Sequence, residues 1–130
     1  MKNIKNDLSF LGPSGTYSES AALIYKNNDK KVLVPKKNIF EVLESVEKGI
    51  HKECIVPIEN SRVGTVIETI DYLLNSKNLF INHKILIPIE ACLISKSENL
   101  NLKDITEIIS KPEAINQCNL WINKYLRKGI

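Results

Sequence analysis

Apolar and polar positions switch between two periods along this chain, and the switches lay out its elements. Residues 8–11 form a short strand-like run that stops at Gly12-Pro13. Thr16-Tyr17-Ser18-Glu19 then opens a helix expected to reach about Lys26. Residues 31–35 alternate as a strand does. Ile39, Val42, Leu43, Val46 and Ile50 follow at helical spacing, with Gly49 marking the end. Residues 54–58 are a second apolar run, short enough for a buried parallel strand, and Val66, Ile70, Leu73 and Leu74 supply one helix face. This β-α-β-α-β-α order predicts an α/β lobe with a parallel sheet and helices packed against it.

After Asn75-Ser76-Lys77 the texture changes. Residues 79–95 read as a long strand-like stretch interrupted by Pro88, a crossover into a second lobe. Residues 106–109 read as another short strand. Residues 112–125 read as a helix with Ile115, Cys118, Ile122 and Tyr125 in one apolar stripe, and Trp121 reads as core. The expected division is a first α/β lobe over 1–76 and a partial second lobe over 77–130, the latter with too little sheet to bury its helix.

Composition narrows the function classes. With 130 residues, 43% hydrophobic and 25% charged, the chain is an ordinary globular domain or part of a larger one. Its net charge of +3 comes from scattered lysines, with arginine only at 62 and 127, so no basic stripe argues for nucleic acid. No run approaches the ~20 apolar residues of a membrane span, and the first residues lack the apolar core of a signal peptide, so a cytoplasmic location is expected. Cys54, Cys92 and Cys118 fit neither a metal pattern nor a redox pair and are expected as reduced, buried thiols. No metal ligand set, nucleophile with its base, or paired carboxylate motif stands out.

What does stand out is Val56-Pro57-Ile58-Glu59-Asn60-Ser61, followed by Gly64, Thr65, Thr69 and Asp71. A strand running into an amide and a hydroxyl, then through a glycine into a helix, gathers neutral hydrogen-bonding groups and free backbone N–H groups at one point. Thr16/Glu19, Asn38/Glu41, Thr65/Glu68 and Ser110/Glu113 each place a capping side chain three residues before a glutamate. Each pair reads as a helix cap worth about 1 kcal/mol. All but Asn38/Glu41 also read as parts of a small-anion site, because strand-to-helix loops gather at the carboxyl edge of a parallel sheet and helix N-termini favour anions. The segment from Gly12 to Thr16 lacks the lysine and spacing of a P-loop.

Four blocks in this order, GPSGTYSESAA, VPIENSRVGTVIETIDYLL, ILIPIEACLIS and ISKPEAINQCNLWI, resemble the prephenate dehydratase catalytic domain across nearly all of residues 8–122. The second block is the most specific. The resemblance implies a two-lobed fold of the periplasmic-binding-protein type 2 kind, with the active site in the cleft between lobes. It implies conversion of prephenate to phenylpyruvate, with loss of water and carbon dioxide, without metal or organic cofactor. It also implies a homo-oligomer when full length. By the same resemblance Asn60, Ser110 and Gln117 match polar catalytic positions, and Thr16, Ser18, Ser61 and Thr65 fall in blocks that contact substrate. Asn60 and Ser110 would donate to prephenate and Gln117 would orient it.

Other residues keep two readings. Glu59 reads as a carboxylic acid donor or a loop-bracing carboxylate, and Arg62 as a carboxylate clamp or a solvated loop residue. His51 and His83 fall outside every block and read as exposed or packing side chains. The chain departs from the family at Ala91 and Lys111, where histidine is common. It also contains no Thr-Arg-Phe, the family motif whose threonine is the proposed acid for the leaving hydroxyl, nor the phenylalanine-sensing ACT domain that often follows. The expectation is therefore the N-terminal part of a prephenate dehydratase, with little turnover on its own. The alternative is a degenerate, non-catalytic lobe that binds a small carboxylate.

Overall fold

A computed structural model describes residues 5–126. They form two compact units, Met1–Pro88 and Ile89–Ile130. The first is built on β1 (Lys5–Leu11), α1 (Tyr17–Lys26), β2 (Val32–Lys36), α2 (Ile39–Glu47) and β3 (His51–Ile55), the predicted α/β order. Its three strands lie in the order β2-β1-β3, with both pairings to β1 parallel. Parallel neighbours need helical crossovers, and α1 and α2 supply them.

The central strand is covered on both faces. Leu8 and Phe10 are fully buried and cluster with Ala22 of α1, against Tyr25, Leu33 and Ile55. Ser9, pointing the other way by the period of the strand, meets Ser45 of α2 at 3.0 Å. The Ser45 hydroxyl donates to the Val42 carbonyl at 2.6 Å, and the Ser9 hydroxyl reaches the Glu53 carbonyl at 3.5 Å. Val42 and Leu43 close the core on that side. At the β3 edge Glu53 accepts from Lys31 Nζ at 2.6 Å and from the Tyr25 hydroxyl at 3.0 Å, while Lys31 lies 4.7 Å above the Tyr25 ring. The lysine holds the Glu53 carboxyl below its ordinary value. The histidines divide between the two readings: His51 is buried with Nδ1 3.8 Å from Asp7, and His83 is exposed, its ring edge-on to Tyr25 at 5.1 Å.

Several expectations shift. The third strand spans His51–Ile55 rather than 54–58. Its register is set by β1, with Leu8 opposite Glu53 and Phe10 opposite Ile55, and Pro57 has no N–H with which to extend the ladder. A two-residue ladder instead pairs β4 (Glu59–Asn60) with β5 (Gly64–Thr65), and α3 (Ile67–Asn75) follows. Residues 79–95 and 106–109 carry no strand among the described residues. Apolar patterning makes a strand only where a neighbouring backbone completes the ladder.

The second unit carries a 3-10 turn, Leu102–Asp104, and α4 (Pro112–Tyr125). Ile105 and Leu126 are buried there, but no residue of α4 is. Its stripe is half-buried at Ile115, Cys118 and Ile122, and Trp121 is 41% exposed rather than core. The thiols differ from the expectation of uniform burial: Cys92 is exposed, and Cys54 and Cys118 are intermediate. No helix among the described residues is long and apolar enough to cross a membrane.

Candidate functional site

The sheet order places two loops where a parallel sheet binds ligands. From β1 the chain crosses to β2 on one side, then returns to β3 on the other. Such a reversal opens a crevice at the carboxyl ends of the two strands that flank it. The loops leaving those ends are the Gly12–Thr16 turn after β1 and the 56–66 loop after β3. They are the two blocks singled out in the sequence.

The first loop is knitted to itself. Gly12 N–H donates to Lys36 carbonyl at 2.8 Å, and a side chain at Gly12 would sit 2.9 Å from the Pro35 Cβ, so glycine is required by close approach. Thr16 caps α1 by accepting from the Glu19 N–H at 3.3 Å. Its hydroxyl proton faces the Pro13 carbonyl at 3.0 Å and the Leu11 carbonyl at 3.3 Å. Glu19 reaches back to the Gly15 N–H at 2.6 Å. That bond, with Ser14 second, holds the Glu19 carboxyl below its ordinary value. The N-terminus of α1 therefore already holds an anion, its own glutamate. Ser18 is half-buried in the first turn.

The second loop is organised around Asn60. Its Oδ1 accepts from the N–H groups of Arg62 at 2.9 Å and Val63 at 3.2 Å. Two backbone donors fix the orientation of the amide, so Nδ2 is turned away from the bend as a donor. Gly64, at φ +96, completes the reversal in a region that side chains disfavour. Ser61 and Arg62 are exposed in the turn, as is Glu59 on β4. Thr69, fully buried on α3, donates its hydroxyl to the Pro57 carbonyl at 2.7 Å.

Asn38 caps α2 as expected, accepting from the Glu41 N–H at 2.8 Å. The other two expected caps are corrected. α3 takes Val66 as its N-cap and has no side-chain cap, because Thr65 is held in the β4–β5 ladder and the Val66 N–H donates to the Ile58 carbonyl at 3.0 Å. The helix starts one residue late. α4 is capped by Lys111, again with no side-chain bond, because Pro112 takes the first helical position and keeps its predecessor extended (φ −65, ψ 144). Ser110 therefore lies one residue outside the cap, exposed, and Gln117 is exposed on the same helix. The proline was the sequence signal for that shift.

Among the cysteines, Cys54 is excluded as a nucleophile, since burial pushes its thiol up to about 11. The side chain that sequence reasoning left without a role is Thr69. Its signal was a hydroxyl on the apolar helix face that also carries Val66, Ile70 and Leu73.

Comparison with known proteins meets this geometry from the other side. The family model for prephenate dehydratase matches residues 8–129. A bifunctional chorismate mutase/prephenate dehydratase of Buchnera aphidicola subsp. Schizaphis graminum is 36% identical over 119 residues, covering 90% of this chain and 30% of the relative. An arogenate dehydratase/prephenate dehydratase 2, chloroplastic, of Arabidopsis thaliana is 31% identical over 118 residues, with 90% and 30% covered. The solved prephenate dehydratase of Streptococcus mutans superposes with a TM-score of 0.52 at 38% identity, over 55% of this chain and 37% of that one. That likeness is consistent with a periplasmic-binding-protein-like fold. The chain spans about 30% of the length of the curated relatives it matches. On the match over residues 8–129, this chain belongs to the prephenate dehydratase family.

Proposed function

We propose that these residues form the Asn60 wall of a prephenate dehydratase site, where prephenate loses its ring hydroxyl and a carboxylate as carbon dioxide to give phenylpyruvate. The observation that carries this reading is the Asn60 turn, in the loop that leaves β3: the amide oxygen accepts from two backbone N–H groups, and the reading assigns Nδ2 as the donor to substrate. Aromatisation of the ring drives the reaction. What remains for the protein is to hold the substrate, favour charge as it moves, and assist the departing hydroxyl.

Prephenate carries two carboxylates, and the start of α3 has no side-chain cap to compete for its N–H groups. In this reading Asn60 and Ser110 donate to substrate, Gln117 orients it, and Ser61 and Thr65 line the approach. Lys111 adds positive charge beside Ser110. Thr16 shapes the first loop, since its hydroxyl is engaged there, and Ser18 sits beside it. The lobes are assigned as 1–76 and 77–130, and the family expectations of a homo-oligomer when full length and a cytoplasmic location belong to the same reading.

The test pairs binding with turnover. Prephenate is expected to bind the 130-residue chain measurably by calorimetry, while phenylpyruvate formation by it is little or none, because no Thr-Arg-Phe is present to protonate the leaving hydroxyl. Absence of binding defeats the assignment of the Asn60 wall. Robust turnover by these residues alone defeats the assigned need for that threonine.

A further inference from the structure

The chain leaves the ladder of β3 at Ile55 and must carry Asn60 to a defined place without sheet bonds over residues 56–58. Pro57, in the middle of that stretch, has a carbonyl to satisfy and no N–H. Its carbonyl accepts from Thr69 Oγ1, twelve residues on, at 2.7 Å. Threonine on a helix commonly turns its hydroxyl back to a carbonyl of the preceding turn. Here the hydroxyl is spent on the loop instead. Thr69 is the one residue of α3 that is fully buried, on a face whose other members are apolar. Valine would fill the same volume, so packing alone does not account for the hydroxyl.

The helix that carries Thr69 is itself fixed. Glu47 of α2 accepts from the Tyr72 hydroxyl at 2.7 Å and from the Ser76 hydroxyl at 2.6 Å, and the Tyr72 ring meets Phe40 edge-on at 5.4 Å. The Ser76 bond, with Tyr72 second, holds the Glu47 carboxyl below its ordinary value. From the Val66 N–H to the Ile58 carbonyl runs a second link, at 3.0 Å. The two links are nested, and both close over the Asn60 turn.

We infer that Thr69 is a positioning residue for the substrate contact: its hydroxyl holds the Pro57 carbonyl, and through it the bend that aims the Asn60 amide. The inference rests on the reading of Asn60 as a contact to prephenate, and it deepens that reading. Thr69 itself touches no substrate. Removing its hydroxyl leaves the fold of β1–β3 intact but lets the loop move relative to α3. A displacement of that kind at a polar contact weakens recognition on the order of tenfold or more.

The experiment compares Thr69→Val and Thr69→Ser with the unchanged chain by amide hydrogen exchange and by prephenate calorimetry. In Thr69→Val, exchange at Arg62 and Val63 is expected to rise on the order of tenfold, with Leu8 and Phe10 amides unchanged, and prephenate affinity to fall by a similar factor. Thr69→Ser, which keeps the hydroxyl, restores both. Unchanged Arg62 and Val63 exchange in Thr69→Val, or failure of serine to restore it, overturns the inference. Should Thr69→Val not fold, the hydroxyl proton of Thr69 in the unchanged chain decides: slow exchange with a cross-peak to Ile58 supports the link, and its absence refutes it. A chain that binds no prephenate defeats the Asn60 assignment instead, and the amides of Arg62 and Val63 still decide whether Thr69 holds the turn.

Discussion

The starts of α1 and α3 carry the same sequence sign, a threonine with glutamate three residues on, and use it in opposite ways. At α1 the sign is obeyed: Thr16 caps the helix, Glu19 takes the Gly15 N–H, and the N-terminus is filled by its own side chains. At α3 the β4–β5 ladder holds Thr65 back by one residue, Val66 becomes the cap, and no side chain closes the helix. A capping box is thus a statement about local preference that a two-residue ladder overrules. In the proposed reading the difference sorts the loops by use: the first, satisfied by its own side chains, shapes the site, and the second, which leaves donors over, takes the ligand.

The strongest way to break this contrast is at Asn60. In the proposed reading Asn60→Ala removes one donor to an anionic substrate, worth about 1.5–3 kcal/mol, so prephenate affinity should fall roughly 10- to 100-fold by calorimetry, and the loss of its two turn bonds should lower stability by about 1–2 kcal/mol without unfolding the domain. Equal affinity in the variant would take Asn60 out of the site. Stability should divide the two helix starts next. Thr16→Ala should cost about 1 kcal/mol in denaturant unfolding, and Thr65→Ala less than about 0.5 kcal/mol, because only Thr16 is a cap. Equal losses would erase the distinction.

Ser110 gives a parallel check in the second unit. Lying outside the cap of α4, Ser110→Ala should leave stability within about 0.5 kcal/mol while weakening prephenate binding. A full cap-sized loss of stability would contradict that placement. The smallest effect concerns acid. Glu19 has a folded-state carboxyl below its ordinary value of 4.5, so its contribution is present above that value and fades as pH falls through and below it. Unfolding midpoints measured from neutral pH downward should show a shallower acid loss in Glu19→Gln. An unchanged slope would mean that the Gly15 bond does not stabilise α1.

Much of the first unit was legible because periodicity and burial agree there. Leu8 and Phe10 alternate with Ser9 on β1, and Val42 and Leu43 fall on the buried face of α2. The third strand slipped because its apolar residues, Ile55 onward, continue past the ladder, while the paired residues His51 and Glu53 look polar. Register against β1, which no single run of residues encodes, decides where pairing stops. The expected strands in 79–95 and 106–109 have the same origin: apolar texture without a partner backbone. At the site, residue types were legible and their commitments were not. Thr16 and Thr65 look alike as letters, and only the structure separates a threonine that caps its helix from one held in a ladder. Thr69 stood in the informative block without a role, and its hydroxyl is one of two links between the start of α3 and the Asn60 loop.

The central contrast is tested most directly by titrating prephenate into the chain and following backbone amide resonances. The account predicts the largest shifts at Arg62 and Val63 in the Asn60 turn and at Ile67 and Glu68 in the first turn of α3, with Gly15 and Glu19 at the start of α1 nearly still. Shifts centred on Gly15 and Glu19, with the Asn60 turn unmoved, would contradict it.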